Sequence, residues 1–566
     1  MDFKEIKTVR LDTDLLIIGG GTAGCYAAVI AREADPACRV TVMEKAHIER
    51  SGCLAAGINA INAYLNPGET PETFLDYVKK DSAGLVREDL VYSIAEGLNR
   101  VTRRVEEWGL PILKDETGSY VPRGKRSIRI NGERFKPIIA RAAVKSGAEV
   151  LNRVVATNYI MIDGRVCGAF GFSVRENTFY VIRAKAVICA TGGAAGLYRP
   201  KNDGSARHKM WYSPFNTGAG YAMGIRAGAE MTGFEMRFIA LRVKDTIAPT
   251  GTLAQGVRAP QINARGEKYL ERYGKSTPMR LYATMAENRA GHGPCYLDTR
   301  HLNEEQSKNL KEAYLNMCPG MVLYWADYGL EPNAQPIEIT GSEPYIVGGH
   351  TQSGYWVDVN RRTNLPGLYA AGDVAGGSPK KYVTGCFVEG ELAARDALRY
   401  IGEVRLPDLP EDLVAAEFTR VFAPFGIAGS PGGAEISFTP GELEERLQKI
   451  MDEYAGGIGA GYELYEEKLL LAREKLKDLK GILPCLRAAG LHELMTAHEV
   501  IDRVEVARVL VEHLLYRKET RWPCYQSRVD YPERDDANWL KFVNSVADTD
   551  RVRMIEREYI KLGDKT

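Results

Sequence analysis

The chain has 566 residues, too many for one simple hydrophobic core, so two or three domains are expected. Hydrophobic residues make up 45% and charged residues 26%, as in an ordinary soluble globular protein, while 74 basic against 74 acidic side chains leave no net charge. That balance excludes a broad electrostatic surface for nucleic acid or for an acidic partner. The opening stretch MDFKEIKTVRLDTD is charged and holds no long apolar run, so neither a secretory signal nor a transmembrane segment is expected, and a cytoplasmic location follows as the expectation. Ten cysteines are scattered with no Cys-x-x-Cys pair. They read as small buried hydrophobes in a reducing compartment, with no ligand set for zinc or an iron–sulfur cluster. His47, His208, His292, His301, His492, His498 and His513 form no metal-ligand spacing, so no metal site is expected.

In chain order, Asp14–Ile18 reads as a buried strand, Gly19 to Gly24 follow as a glycine loop, and Ala23–Ala31 has a helical apolar pattern. Val40–Met43 is a second buried strand ending on Glu44, which completes a β-α-β nucleotide-binding unit. Residues 70–110 carry helical spacing. Strand signals then follow at Val154–Met161, Val166–Val174, Phe179–Ile182 and Ala186–Ala190, with Asp163-Gly164 as a hairpin turn between the first two. Residues 246–340 are mixed and rich in polar turns. A strand at Gly367–Ala371 meets Gly372-Asp373, and a helix is expected from about Glu389. Thr439-Pro440-Gly441-Glu442 is a helix start, with a capping threonine, a first-turn proline and a glutamate three residues on. Helices rich in Leu, Glu and Lys follow to about residue 518.

The fold class expected is therefore α/β. A Rossmann-like FAD-binding domain spans 1–245 and 341–404, an inserted α+β capping domain 246–340, and a helical C-terminal domain 405–566. In Gly19-Gly20-Gly21-Thr22-Ala23-Gly24 the glycines allow a tight turn, close approach of backbone to a pyrophosphate, and packing of helix on strand. The helix N-terminus at Thr22 and Ala23 offers free N–H groups to phosphate. Glu44, twenty residues after Gly24, can accept a hydrogen bond from a ribose hydroxyl. Two later segments, Ala190-Thr191-Gly192-Gly193 and Gly367–Asp373, each end a strand and favour FAD over NAD. Asp373 is the late acid that would hold the ribityl chain, and no second glycine fingerprint for a separate NAD site is present.

Taken in order, the glycine loop, Arg50-Ser51-Gly52, Glu106-Glu107-Trp108-Gly109, Gly291-His292-Gly293-Pro294, Gly349-His350 and the Asp373 segment resemble the fumarate reductase and succinate dehydrogenase flavoprotein superfamily across nearly the whole chain. Within it the sequence is most similar to the adenylylsulfate reductase alpha subunits. That likeness rests on Ser51–Asn62, Gly84–Leu90, Ile130–Glu133, Tyr198–Pro200, Trp211-Tyr212, Arg237-Phe238, Arg242–Asp245, Asp530–Pro532 and Asp536–Trp539. Succinate dehydrogenases attach FAD to a histidine after Arg-Ser. Here Gly52 stands there, so the resemblance implies non-covalent FAD. Fumarate and succinate enzymes also hold a carboxylate with a histidine after a Gln-Phe pair. Here Ile239 follows Arg237-Phe238 and cannot donate that hydrogen bond.

The resemblance further implies that Lys45, Ser51, Gly52 and Val155 join the cofactor contacts. It places a pocket at the flavin N5 between the FAD-binding domain and the cap, where the nucleotide's sulfur would meet N5, a flavin–sulfite adduct would form and AMP would leave. Preorganised cations suit such anionic chemistry, and arginine pairs with oxyanions in bidentate fashion. By resemblance Arg242 and Arg280 are the arginines of this site and His350 the histidine near N5, as proton donor or anion ligand. Asn62 and Trp211 line the pocket, and Glu133 is the sixth candidate. Family members place large apolar side chains at the adenine, whereas Ala254 and Gln255 stand here, so a 3′-phosphorylated relative or another small anion stays open as the substrate; a fumarate or succinate enzyme is the second reading, and an electron-transfer or scaffold subunit with no substrate of its own the third. With no cluster or haem motif in the chain, the resemblance implies an iron–sulfur, ferredoxin-like beta subunit as electron partner in a hetero-oligomer.

Overall fold

The structure is a computed structural model and describes residues 6–200, 210–426, 437–548 and 551–564. The strand β1 (Lys7–Ile18) is polar at its start and wholly buried over Leu15–Ile18. It pairs in parallel with β2 (Val40–Glu44) on one side and with the strand Thr178–Cys189 on the other. The sheet continues from β2 to Glu149–Asn152 and from Thr178–Cys189 to Arg165–Ser173 and Val154–Ile162, with Leu368–Ala370 also parallel to Thr178–Cys189. All five residues of β2 are buried, as expected of a parallel strand covered on both faces. At Asp163-Gly164 φ is +50° and +73°, the left-handed pair that a tight two-residue hairpin requires.

The two strands expected at Phe179–Ile182 and Ala186–Ala190 are one. Arg183 and Lys185 do not break it, because each finds a carboxylate on β1: Arg183 pairs with Asp12 at 2.5 Å and Lys185 with Asp14 at 3.1 Å.

The helix α1 (Thr22–Ala34) buries Ala23 to Ala31. It packs on the helix Tyr382–Glu403, where a Cβ at Gly390 would lie 2.4 Å from the Ala23 carbonyl oxygen. That second helix starts seven residues before Glu389. Thr384 to Val388 have weak helix propensity but are buried, and burial outweighs propensity there. Residues 70–110 form the helices Pro71–Asp81, Glu88–Ala95 and Leu98–Glu107.

The antiparallel strands Leu241–Val243, Ile337–Gly341, Tyr296–Leu297 and Gln261–Ile262 make a separate sheet, flanked by the helices Thr277–Arg289, Glu304–Leu315 and Pro319–Asp327. Thr439 caps the helix Pro440–Tyr454 in a reciprocal box with Glu442. Glu466–Ile482 and the largely buried Leu491–Tyr516 complete the C-terminal helices. The last part of the chain is not helical. Phe542–Ala547 and Val552–Arg557 form a hairpin whose inner strand pairs with Met231–Thr232. Glu230 anchors it, accepting from Asn544 at 2.6 Å and Arg557 at 2.8 Å. No helix among the described residues is long and apolar enough to cross a membrane.

Candidate cofactor and anion site

The carboxyl ends of β1 and Thr178–Cys189 lie side by side, and the glycine loop fills the gap. Gly19 has φ +101°, and a Cβ on it would sit 2.5 Å from the Ala190 carbonyl oxygen. A Cβ on Gly24 would sit 1.9 Å from the Gly19 oxygen, so α1 can approach the loop only without a side chain there. Gly21 precedes α1 in extended conformation, and no side chain caps the helix. The first N–H groups of α1 are thus left for an anion beside Gly52, whose Cβ would stand 3.7 Å from Gly21.

Glu44 ends β2 and accepts from the Gly20 N–H at 2.8 Å and the Ala46 N–H at 2.7 Å. A carboxylate has about four lone-pair sites, so capacity for a ribose hydroxyl remains. Ser51 Oγ donates to the Gly20 carbonyl at 3.4 Å, as does the fully buried Lys136 ammonium. Lys45 instead reaches Glu499 at 2.8 Å and the Phe215 carbonyl at 2.6 Å. Val155 is buried near the end of β2, where Arg153 N–H donates to the Ala46 carbonyl at 2.8 Å.

Asp373 closes the opposite wall. Its carboxylate accepts from the Tyr212 hydroxyl at 2.8 Å and faces the Cys386 thiol at 3.7 Å. Its carbonyl accepts from the Tyr221 hydroxyl and the Gly348 N–H, both at 2.8 Å. Tyr212 also accepts from the Gly193 N–H at 2.8 Å, so one phenol ties the Ala190–Gly193 and Asp373 segments together. Burial raises the Asp373 carboxyl, partly offset by Tyr212. Cys53 departs from the buried-cysteine expectation. It is exposed, while surrounding protein and the nearby Asp373 carboxylate push its thiol up to about 12. Gly21, Gly52, Cys53, Tyr212 and Asp373 therefore lie together around one site. It has an anion-ready helix end on one side and hydroxyl acceptors at Glu44 and Asp373, and the donor set fits a dinucleotide.

A second cluster adjoins it. The His350 ring stacks on Phe238 and touches Trp211 and Tyr382, with centroids 4.4, 5.1 and 5.3 Å apart. Burial and the nearby Lys380 ammonium lower its pKa to about 3, so the imidazole is neutral near pH 7. A neutral imidazole can donate one N–H to an oxyanion; it is not a ready-made acid. Lys380 is itself buried, paired with Asp81 at 2.6 Å and donating to Thr277 Oγ1 at 3.0 Å. Burial alone would raise Asp81, but the Lys380 charge outweighs it and the carboxyl lies below its ordinary range. Thr277 begins the helix that carries Arg280. Burial lowers Arg280, while Tyr269 and the same Asp81 raise it, and its Nε donates to Gln261 at 3.1 Å.

The six candidates do not all converge. His350 and Trp211 touch, and Arg280 joins them through Asp81 and Lys380. Arg242 is buried in Leu241–Val243, four residues beyond Phe238, and bonds the Thr246 carbonyl. Asn62 is exposed and accepts from Arg123. Glu133 is exposed beside Gly57, and no contact ties it to the His350 group. Ile239 is buried. Ala254 and Gln255 lie in the short helical stretch Thr252–Gly256. Lys380, Tyr382, Lys136 and Arg123 escaped the sequence reading, and Tyr212 entered it only as part of the family resemblance. The only local signal is a pair of lysines after Gly376-Gly377-Ser378-Pro379, where Lys380 and Tyr382 take left-handed φ of +63° and +49°. Among the described residues no group of acidic, histidine and cysteine side chains could hold a metal ion.

The chain matches two protein families: FAD binding domain over residues 14–386 and fumarate reductase flavoprotein C-term over 444–563. It is 31% identical to the adenylylsulfate reductase subunit alpha of Megalodesulfovibrio gigas, over 95% of this chain and 94% of that protein. Among solved structures it superposes on adenylylsulfate reductase from Archaeoglobus fulgidus with a TM-score of 0.94 at 38% identity, covering 100% of this chain and 98% of the other. The figures are the same for an adenosine-5-phosphosulfate reductase in complex with sulfite as a covalent adduct. The E. coli quinol fumarate reductase shares the fold, with a TM-score of 0.82 at 21% identity over 98% of each chain.

Proposed function

The chain belongs to the FAD-binding adenylylsulfate reductase alpha-subunit family, and we propose that it catalyses the reversible two-electron conversion of adenylylsulfate to sulfite and AMP. Its cofactor is FAD, for which the site between the glycine loop and Asp373 has the right donors and acceptors. Gly52 offers no side chain for covalent attachment. In the reductive direction two electrons enter, the bond between sulfur and the bridging phosphate oxygen breaks, and AMP leaves with that oxygen. Bound flavin supplies the two-electron exchange at N5.

The observation that carries the reading is the His350 cluster. A neutral imidazole lies against Phe238 and Trp211 near the buried Lys380, whose partner Asp81 is also a charge neighbour of Arg280, with apolar Ile239 where a carboxylate-holding histidine would be needed. Neutral His350 donates its N–H to a sulfur oxyanion. Arg280 and Arg242 stabilise the charge that shifts as the S–O bond breaks, strongest in a water-poor cleft. Asn62 and Trp211 shape the pocket.

A ferredoxin-like iron–sulfur beta subunit delivers or takes the electrons one at a time, and the pair works in the cytoplasm. The test uses the FAD-loaded protein. Sulfite bleaches the visible flavin absorbance, AMP-dependent sulfite oxidation proceeds with ferricyanide, and Arg242→Ala loses turnover while keeping FAD. No bleaching, together with reoxidation of the reduced protein by fumarate, would overturn the assignment.

A further inference from the structure

Arg123 is a half-buried guanidinium whose Nε is shut off from solvent and whose hydrogen-bond partners are all neutral. Its Nη1 donates to Asn59 Oδ1 at 3.2 Å, its Nη2 bonds Asn62 Oδ1, and its Nε has no hydrogen-bond partner among the described residues. No carboxylate of the described residues pairs with it. Its long-range neighbours are Tyr382 and Tyr314, with Arg129 opposing. Burial lowers its pKa only to about 10, so it keeps its charge at neutral pH. Other arginines are treated differently: Arg126, three residues on, has Glu69 at 3.0 Å, and the buried Arg87 has Asp89 at 2.6 Å. A cation partly shut off from water without a counter-ion is costly unless a ligand provides the negative charge.

Its placement says which ligand. Asn62, which Arg123 holds, is exposed, and Tyr382, whose ring lies 5.3 Å from that of His350, is a neighbour of Arg123 as well. Asn59, its other partner, is buried and donates to Thr252 Oγ1 at 3.0 Å and the Ala313 carbonyl at 3.1 Å. Asn59 thereby ties Arg123 to the stretch that begins at Thr252. The Nε is shut off from solvent, so the donors left for a ligand are the Nη nitrogens, each of which keeps a second hydrogen beyond its asparagine bond that can reach an oxygen of a phosphate. We propose that Arg123 is a substrate-binding residue whose guanidinium receives a phosphate oxyanion of the nucleotide. This rests on the nucleotide substrate proposed above and adds a specificity determinant for its phosphate. The phosphate could be the 5′ group or a 3′ group, and the two are separable.

The experiment compares FAD-loaded wild type, Arg123→Gln and Arg123→Lys, titrated by calorimetry with adenosine, AMP and adenosine 3′,5′-bisphosphate. Binding of adenosine 3′,5′-bisphosphate is expected to weaken at least tenfold in Arg123→Gln and to recover partly in Arg123→Lys, with any adenosine binding unchanged. An equal loss for both nucleotides assigns the 5′ phosphate, and a loss confined to the bisphosphate assigns the 3′ phosphate. FAD content and sulfite bleaching should stay at wild-type level and report that the variant is folded. Nucleotide binding within twofold of wild type in a folded Arg123→Gln overturns the proposal alone. Arg123-dependent nucleotide binding in a protein that sulfite does not bleach overturns the proposed reaction alone. Wild-type protein that binds neither nucleotide overturns both.

Discussion

The imidazole of His350 lies on the ring of Phe238, 4.4 Å between centroids and 15° from parallel. Stacking excludes water from one face, and the Lys380 ammonium opposes protonation from the side, which together with burial brings the pKa to about 3. Removing Lys380 frees Asp81, whose unpaired carboxylate then favours imidazolium. The expected result for Lys380→Met is a His350 pKa raised by one unit or more, read by NMR of labelled histidine. The double variant Lys380→Met/Asp81→Asn should give a smaller rise. An unchanged titration in Lys380→Met would show that burial alone holds the imidazole neutral.

His350 and His498 share one consequence for acid stability. Burial, with Arg420 adding to it, brings His498 to about 3 as well, and its Nε2 bonds the Val421 carbonyl at 2.8 Å. In the unfolded chain both imidazoles take a proton near 6.5, but in the fold not until about 3. The unfolded state therefore binds more protons across that window. Stability is complete above 6.5 and falls as the pH drops, by ~1.4 kcal/mol per pH unit for each imidazole. Urea unfolding between pH 7.5 and 5 should show this slope, and His498→Gln should reduce it by one proton's share.

Gly349 abuts Asp373 so closely that a Cβ would lie 1.9 Å from its carboxylate oxygen. Gly349→Ala is expected to push that carboxylate off the ribityl position while leaving the sheet intact. Losing a hydrogen bond to a charged acceptor costs ~1.5–3 kcal/mol, so FAD should bind at least tenfold more weakly, as measured by flavin content after dialysis and by re-titration of the apoprotein. Full flavin occupancy in Gly349→Ala would remove Asp373 from the cofactor contacts.

The elements legible in the sequence are those whose causes are local. β1, α1 and β2 announce themselves through apolar runs and glycines within some thirty residues, and Thr439 to Glu442 carry their own cap. Distant causes leave no such mark. Helix formation at Tyr382 depends on burial of Cys386, Phe387 and Val388, and the strand Phe542–Ala547 exists because Met231–Thr232 waits for it. The cofactor wall was legible at Asp373 but not at Tyr212, whose role needs the Gly193 amide beside it. His350 and Trp211 were legible only through likeness to a family. Lys380 and Arg123 could not be read at all, because Asp81, Thr277 and Asn59 give them their meaning and none is near in sequence.

Glu389 carries the turn that presents Asp373. It is fully buried with Lys381 at 3.0 Å and Arg361 at 3.2 Å, both also without exposure, and accepts from the Gly372 N–H at 2.8 Å. Two cations around one carboxylate leave a net positive charge inside, so removing the carboxylate is worse than removing either partner. Glu389→Leu is expected to cost ~3–5 kcal/mol, the scale for breaking a buried pair from one side, and to release FAD as the Gly372-Asp373 turn loosens. Glu389→Gln keeps an acceptor for the Gly372 amide and should retain FAD at reduced stability. Lys381→Met leaves the Arg361 pair standing and should cost less than Glu389→Leu. Urea midpoints with flavin content measured in parallel rank the three. If Lys381→Met proves the most damaging, Glu389 is not the centre of the network, and the Lys381 contacts to the Gly372 and Ala375 carbonyls, at 2.9 and 2.7 Å, hold the turn instead.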